Sequence, residues 1–252
     1  MIKFFDIYKQ DKIILRKNLR DFENTIKKSN FINGDPVNNF EKKFSKYCGT
    51  KYAVGCNSGT DALFLALKSL NLKENSEVIL PAMTYAATFY AIINAGLKPV
   101  LVDINANDPL INIEIIRNKI TKKTKVIIPV HLYGSVVNIA ELKKKINKKI
   151  YIVDDCAQAH GAKYDNYKRV GGSNISDIST FSLFPGKNLG AYGDAGIITT
   201  NNLKLKNRLI KIRNLGAIKK FNHETIGFNN RLDTIQAVVL IHKLNRLTKL
   251  NH

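Results

Sequence analysis

Along the chain, short runs of β-branched and other apolar residues alternate with stretches in which apolar positions recur every three or four residues. The runs at 52–57, 77–81, 99–104, 125–130, 150–154, 178–184 and 196–200 have the length and composition of strands. Between the early ones, residues 61–70, 85–95, 113–120 and 139–146 carry the helical period. Strand, helix, strand repetition predicts parallel neighbours with helices on both faces, an α/β doubly wound layer. The last link differs, because only the Gly-rich PGKNLGAYGDA separates the final two runs. That is too short for a helical crossover, so the final strand should run antiparallel in a mixed seven-stranded sheet. Outside this layer, residues 9–28 read as one amphipathic helix with Ile13, Ile14, Phe22 and Ile26 on its apolar side. A second spans 37–47 after the turn Gly34-Asp35-Pro36, and a third spans 232–250, apolar at Ile235, Val238, Val239, Ile241, Leu244 and Leu247.

Composition narrows the class. With 252 residues, 44% hydrophobic and 24% charged, the chain can bury a core, which excludes disorder as its dominant state. It has no apolar run of the roughly 18 to 20 residues that a membrane span needs, and the start MIKFFDIYKQDK lacks the marks of a signal peptide. A soluble cytoplasmic protein with no membrane partner is expected. Cys48, Cys56 and Cys156 form no C-x-x-C pair and read as small core residues, not as a disulfide framework or metal site. The formal charge of +20 invites a nucleic-acid reading, but 32 of the 40 basic residues are Lys and only 8 are Arg. Phosphate-clamping and base-reading surfaces lean on Arg, so the excess reads as solvated surface without a nucleic-acid partner.

In open α/β sheets ligands sit beyond the carboxyl ends of the strands. Four such positions carry polar or Gly-rich clusters. Asn57-Ser58-Gly59-Thr60-Asp61 joins a strand to a helix, where free N–H groups and hydroxyls suit an anion; an ordinary N-cap gives the same pattern. Asp154-Asp155 ends another strand, and adjacent side chains point to opposite faces, so only one acid can reach the mouth of the sheet. Ser182 and Lys187 follow a third strand. A lone lysine flanked by Pro185, Gly186 and Gly190, near an anion cup and a carboxylate, fits a Schiff-base lysine. Pyridoxal phosphate chemistry needs such a set: an amine, a carboxylate for the pyridine nitrogen, donors for the phosphate and an aromatic ring against the cofactor's face. Tyr85 is a candidate for that ring, or else a core aromatic at the head of a helix.

The segments GDPVNNFEKKFSKYCGTKYAVGCNSGTDAL (34–63), LPAMTYAATFYAIINAGLKPVLVDI (80–104), IPVHLYG (128–134), VDDCAQAHGA (153–162), FSLFPGKNLGAYGDAG (181–196) and GFNNRLDTIQA (227–237) together resemble the DegT/StrS family of sugar-nucleotide aminotransferases. The resemblance covers essentially the whole chain. It implies the large domain of a fold-type I pyridoxal 5'-phosphate transferase. It also implies that Lys187 forms the aldimine with the cofactor and later moves protons, that Asp155 pairs with the pyridine nitrogen, and that Gln158 contacts the phenolic oxygen. Gly59, Thr60 and Ser182 would hold the phosphate, Tyr85 would stack on the ring, and Asn229 would reach the phosphate bound by the partner subunit of a homodimer. The dehydrating branch of the family has histidine in place of the lysine, so Lys187 favours amino transfer. The implied reaction moves an amino group from an amino acid, by resemblance L-glutamate, to a keto carbon of a nucleotide-linked deoxyhexose.

Within this frame His131, His160 and His223 have no role beyond structural hydrogen bonding. Arg231 meets either an anionic substrate or an ion-pair partner. Cys156 stands where alanine is more frequent, and Ala195 where glycine is frequent, which bears on the conformation of the Lys187 loop. Members of the family usually run to about 370 to 400 residues with a small C-terminal domain. The expected division is an N-terminal helical arm (1–33), the cofactor-binding α/β domain (34–230) and a linker helix (231–252) leading to a small domain that is missing. A truncated or degenerate homologue that binds cofactor or sugar nucleotide without efficient turnover is the alternative. Its mark would be exposed apolar positions at Leu244, Leu247 and Leu250.

Overall fold

The computed structural model describes residues 6–146, 149–164, 168–172, 175–219 and 221–252. Seven strands form one sheet: β1 (Tyr52–Cys56), β2 (Glu77–Pro81), β3 (Lys98–Val102), β4 (Thr124–Ile127), β5 (Tyr151–Asp155), β6 (Ile178–Ser182) and β7 (Gly196–Thr200). Their order is β1-β7-β6-β5-β4-β2-β3, and β7 runs antiparallel to both β1 and β6 while the other pairs are parallel. The mixed sheet and the reversed last strand follow the expectation from the short final loop. β1 lies at the far edge, five places from β2, which the sequence pattern does not reveal. The strands other than β7 share a direction, so the carboxyl ends of β1, β2, β5 and β6 open on one side.

The helices are α1 (Ile7–Asp11), α2 (Leu15–Lys27), α3 (Asp35–Cys48), α4 (Gly59–Ser69), α5 (Ala86–Asn94), α6 (Ile113–Lys119), α7 (Ile139–Lys145), α8 (Leu203–Ile212) and α9 (Thr234–Leu250). Local chemistry sets their ends. α3 carries Pro36 in its first turn and stops at Gly49, whose left-handed φ of 77° lets the last carbonyls be capped by Gly49 and Thr50. Ser58, Asn112, Asn138 and Asn202 cap α4, α6, α7 and α8 through their side chains. The single helix expected over 9–28 is instead two, broken at 12–14, where Ile14 turns inward as a buried residue while Ile13 stays exposed. α8 was not among the expected helices, although Leu205, Leu209 and Ile212 show its apolar stripe.

Two cores flank the sheet. One holds Phe40 and Phe44 of α3, Ile116 of α6, Leu142 of α7 and Leu240 of α9 against Ile79, Ile152 and Phe181. The other holds Leu65 of α4, Ile92 of α5 and Leu209 of α8 against Val78, Val153 and Ile198. Strand alternation therefore decides where each polar strand end points: Asp154 continues the face of Ile152, and Asp155 that of Val153. Leu244 and Leu247, whose exposure would have marked the degenerate alternative, are 7% and 1% accessible. α9 turns them into the first core, where α2 and α3 pack beside it. Among these three positions only Leu250, at 41%, stands out of the core, so the mark set for a degenerate homologue is not met.

Phe181 is the keystone beneath the Lys187 loop, edge-on to Phe44 at 5.1 Å and tilted on His160 at 5.5 Å. Phe181→Ala should lower unfolding free energy by about 3–5 kcal/mol, read from the urea midpoint at unchanged slope, because truncating a fully buried aromatic leaves a cavity. Among the described residues no helix is long and apolar enough to cross a membrane.

Candidate active site

The strand ends enclose a cleft of about 450 Å³, lined by Gly59, Thr60, Tyr85, Asp155, Gln158, Ser182 and Lys187 among others. Seven of the eight residues expected to bind cofactor therefore meet in one place. Asn229 does not line it; it is exposed and its main chain bridges to Asn214.

α4 begins at the wall of the cleft. Ser58 Oγ accepts from the N–H of Asp61 and donates to its carboxylate, so the cap is an ordinary one. The N–H groups of Gly59 and Thr60, ahead of that cap, lie at the open end of the helix. A Cβ on Gly59 would overlap the Ser182 side chain, so glycine lets helix and strand end close into a cup of N–H groups and hydroxyls.

Asp155 stands deeper, 4% accessible. One carboxylate oxygen accepts from Thr88 Oγ at 2.8 Å, the other from the N–H of Ala157 at 3.1 Å. Burial pushes its pKa up, with the two hydrogen bonds and the Lys187 charge acting against that. The neighbouring Asp154 points away, accepting from Tyr164 at 3.0 Å and Ser176 at 2.5 Å. Thr88, fully buried on α5 and 2.9 Å from Thr84, was missed from the sequence; its signal is the i, i+4 pair of hydroxyls at the head of that helix.

Lys187 is half-buried in the β6–β7 loop, its N–H on the Phe184 carbonyl at 2.9 Å. Burial lowers its pKa, and Asp155 opposes the shift. Gln158 accepts from the Tyr133 N–H at 3.0 Å through Oε1, which leaves its amide N–H₂ to offer. Tyr85 is 76% exposed at the N-cap of α5, so the core-aromatic alternative does not hold. Ala195 needs no left-handed backbone and closes the loop by accepting from Leu183 at 2.8 Å.

The histidines and Arg231 are placed structurally. His131 Nδ1 accepts from the Val137 N–H at 3.1 Å, so its Nε2 carries the proton toward Asp154 at 3.6 Å. That tautomer, with a Cys156 thiol whose pKa burial raises well above the ordinary value, makes the buried group His131, Asp154 and Cys156 a poor metal site. His223 pairs with the Leu215 carbonyl at 2.7 Å, and Arg231 donates to Asn214 rather than to an acid. His160 is buried behind Phe181 and approaches only the Ser182 main chain; burial, then the Lys187 charge, lowers its pKa to about 4. Its unfolded value is higher, so its contribution is present above about pH 6.5 and is lost as pH falls toward 4. Urea unfolding should show a loss of about 3 kcal/mol over that window, absent in His160→Gln.

The sequence profile of the DegT/DnrJ/EryC1/StrS aminotransferase family matches residues 12–252. The chain is 43% identical over 98% of its length to a dTDP-3-amino-3,6-dideoxy-alpha-D-galactopyranose transaminase of Aneurinibacillus thermoaerophilus, covering 68% of that protein. It is 40% identical over 88% of its length to a dTDP-3-amino-3,4,6-trideoxy-alpha-D-glucose transaminase of Streptomyces venezuelae, and spans 58% of that relative. The crystal structure of S. venezuelae DesV in complex with a ketimine intermediate superposes on 98% of the chain with a TM-score of 0.94 at 36% identity, the chain covering 66% of it. NtdA from Bacillus subtilis with bound cofactor PMP gives 0.85 at 31% identity over 99% of this chain and 57% of that one. With its seven-stranded mixed sheet and its motifs in order, the chain belongs to the DegT/DnrJ/EryC1/StrS aminotransferase family.

Proposed function

We propose that this chain is the cofactor-binding part of a pyridoxal-phosphate aminotransferase that moves an amino group from L-glutamate to a keto carbon of a nucleotide-linked deoxyhexose. The observation that carries the reading is the convergence on one cleft of a helix N-terminus and hydroxyls, a buried carboxylate and a lysine. The donor set fits the cofactor. The glycine-floored cup suits a phosphate, and Asp155, buried and held among the described residues by two neutral donors, suits a protonated ring nitrogen. The bound PMP of the Bacillus relative supports the same choice.

When bound, the cofactor supplies an aldehyde that takes up and gives back amino groups and a ring that accepts electrons. The protein's own residues do the rest. Gly59, Thr60 and Ser182 hold the phosphate, Asp155 keeps the ring nitrogen charged, Gln158 donates to the phenolic oxygen, and Tyr85 covers one ring face. Lys187 would attach the cofactor and, its amine held below the ordinary lysine pKa by burial, would take up and release a proton at Nζ. Asn229, exposed and outside its own cleft's lining, would serve the partner's phosphate in a homodimer.

Both named relatives carry the new amino group at C3, which makes a 3-keto sugar the first substrate to offer. The test supplies dTDP-linked 3-keto and 4-keto deoxyhexoses with L-glutamate and follows 2-oxoglutarate and the amino sugar. Product from the 3-keto sugar supports the reading. Absence of product from both, in protein that takes up no cofactor, overturns it.

A further inference from the structure

Beneath the Lys187 loop lies a charged group that the catalytic reading does not use. Asp11, the last residue of α1, and Lys243 of α9 are both buried, with Nζ and Oδ2 2.8 Å apart. The Lys243 ammonium also lies 5.3 Å from the centre of the Tyr192 ring. Tyr192 belongs to the loop that carries Lys187. Its hydroxyl accepts from Asn18 of α2 at 3.2 Å, and its N–H donates to Gln236 of α9 at 2.9 Å. Gly193 permits that approach, since a Cβ there would stand 2.8 Å from the Gln236 amide. On the other side of the loop Asn188 donates to Asn251 at 3.0 Å. The Tyr192 phenol is pushed up to about 12, first by burial and then by the Asp11 charge, so it stays neutral beside the pair.

A buried ion pair is a poor way to gain stability, because desolvation offsets most of its attraction; its better-attested use is to fix one arrangement. Here that arrangement joins the first helices and α9 to the loop on whose conformation Lys187 depends. We propose that the buried Asp11–Lys243 pair and Tyr192 are positioning residues that clamp the β6–β7 loop from below and hold the Lys187 amine in the dry part of the cleft. This rests on the reading of Lys187 as the cofactor's lysine.

The charged and titratable groups facing Lys187 are Asp155 from β5, His160 after that strand, Asp194 of the loop and Tyr85 at the head of α5. None of them belongs to the clamp. Loosening the loop therefore changes the amine mainly by admitting water, which returns its pKa toward that of a free lysine.

The experiment uses the cofactor-free full chain, trace-labelled with acetic anhydride between pH 6 and 11, and reads each lysine by peptide mass spectrometry, with exposed Lys98 as internal reference. In the wild type Lys187 should titrate below Lys98. In Tyr192→Phe, and in the charge-neutral pair Asp11→Asn with Lys243→Met, its midpoint should rise and its labelling at pH 8 should slow severalfold. Melting temperature is followed in parallel. A fall in melting temperature with an unmoved Lys187 profile in both variants overturns the clamp and leaves the functional reading standing. A wild-type Lys187 that titrates with Lys98 overturns the functional reading itself.

Discussion

Lys187→Ala should lower amino transfer by about 10⁴-fold, since the change removes both the point of attachment and the proton carrier. The substitution should leave the fold intact. The Lys187 side chain makes no ion pair among the described residues, and its backbone N–H bond to Phe184 survives in alanine. Cofactor would still enter the cleft, because the phosphate cup and Asp155 remain, but it would wash out on gel filtration. Single-turnover kinetics with added methylamine separate the two losses: the free amine restores part of the proton transfer without restoring retention. A Lys187→Ala protein with more than about a tenth of wild-type turnover would contradict the assignment, because one missing general base alone costs at least about 10²-fold.

Asp155→Asn should be the second-largest loss, about 3 kcal/mol or roughly 10²-fold in turnover and in cofactor affinity together. The amide has the same shape and keeps its neighbours. Its oxygen accepts from Ala157, and the Thr88 hydroxyl, already paired with Thr84, can turn to accept from the new N–H₂. What disappears is the charge. The sign of the stability effect separates function from folding. Burial raises the folded pKa of Asp155, so the cofactor-free protein gives up stability as pH rises from the ordinary Asp range through that raised value. Asp155→Asn should therefore unfold no more easily than wild type at pH 8 without cofactor, and more easily with it. Equal destabilisation in both states would mean that the carboxylate serves the fold alone.

The sheet was legible because its signal is local: strand-length apolar runs, helical spacing between them, and a final loop too short to cross. Asp155, Ser182 and Lys187 were legible for a related reason, since a polar residue at the carboxyl end of a strand run stands out against the apolar positions before it. Position in the sheet was not local. β1 pairs with β7, about 145 residues later, and nothing in either run names the other. Thr88 looked like one more small residue in an apolar helix until the fold set it against Asp155, 67 residues away. Asp11 and Lys243 did not stand out, because a sequence gives the sign of a charge but not its depth. Leu244 and Leu247 were legible as apolar positions of the last helix, but that α2 and α3 pack beside α9 was not.

The central claim is that Lys187 is the lysine this fold presents to pyridoxal phosphate. Borohydride reduction of the purified chain after incubation with pyridoxal phosphate, followed by peptide mass spectrometry, tests it directly. The account predicts one stoichiometric pyridoxyl adduct on the peptide containing Lys187, lost in Lys187→Ala. Adducts spread over exposed lysines in proportion to their accessibility, with none favoured at Lys187, would contradict it.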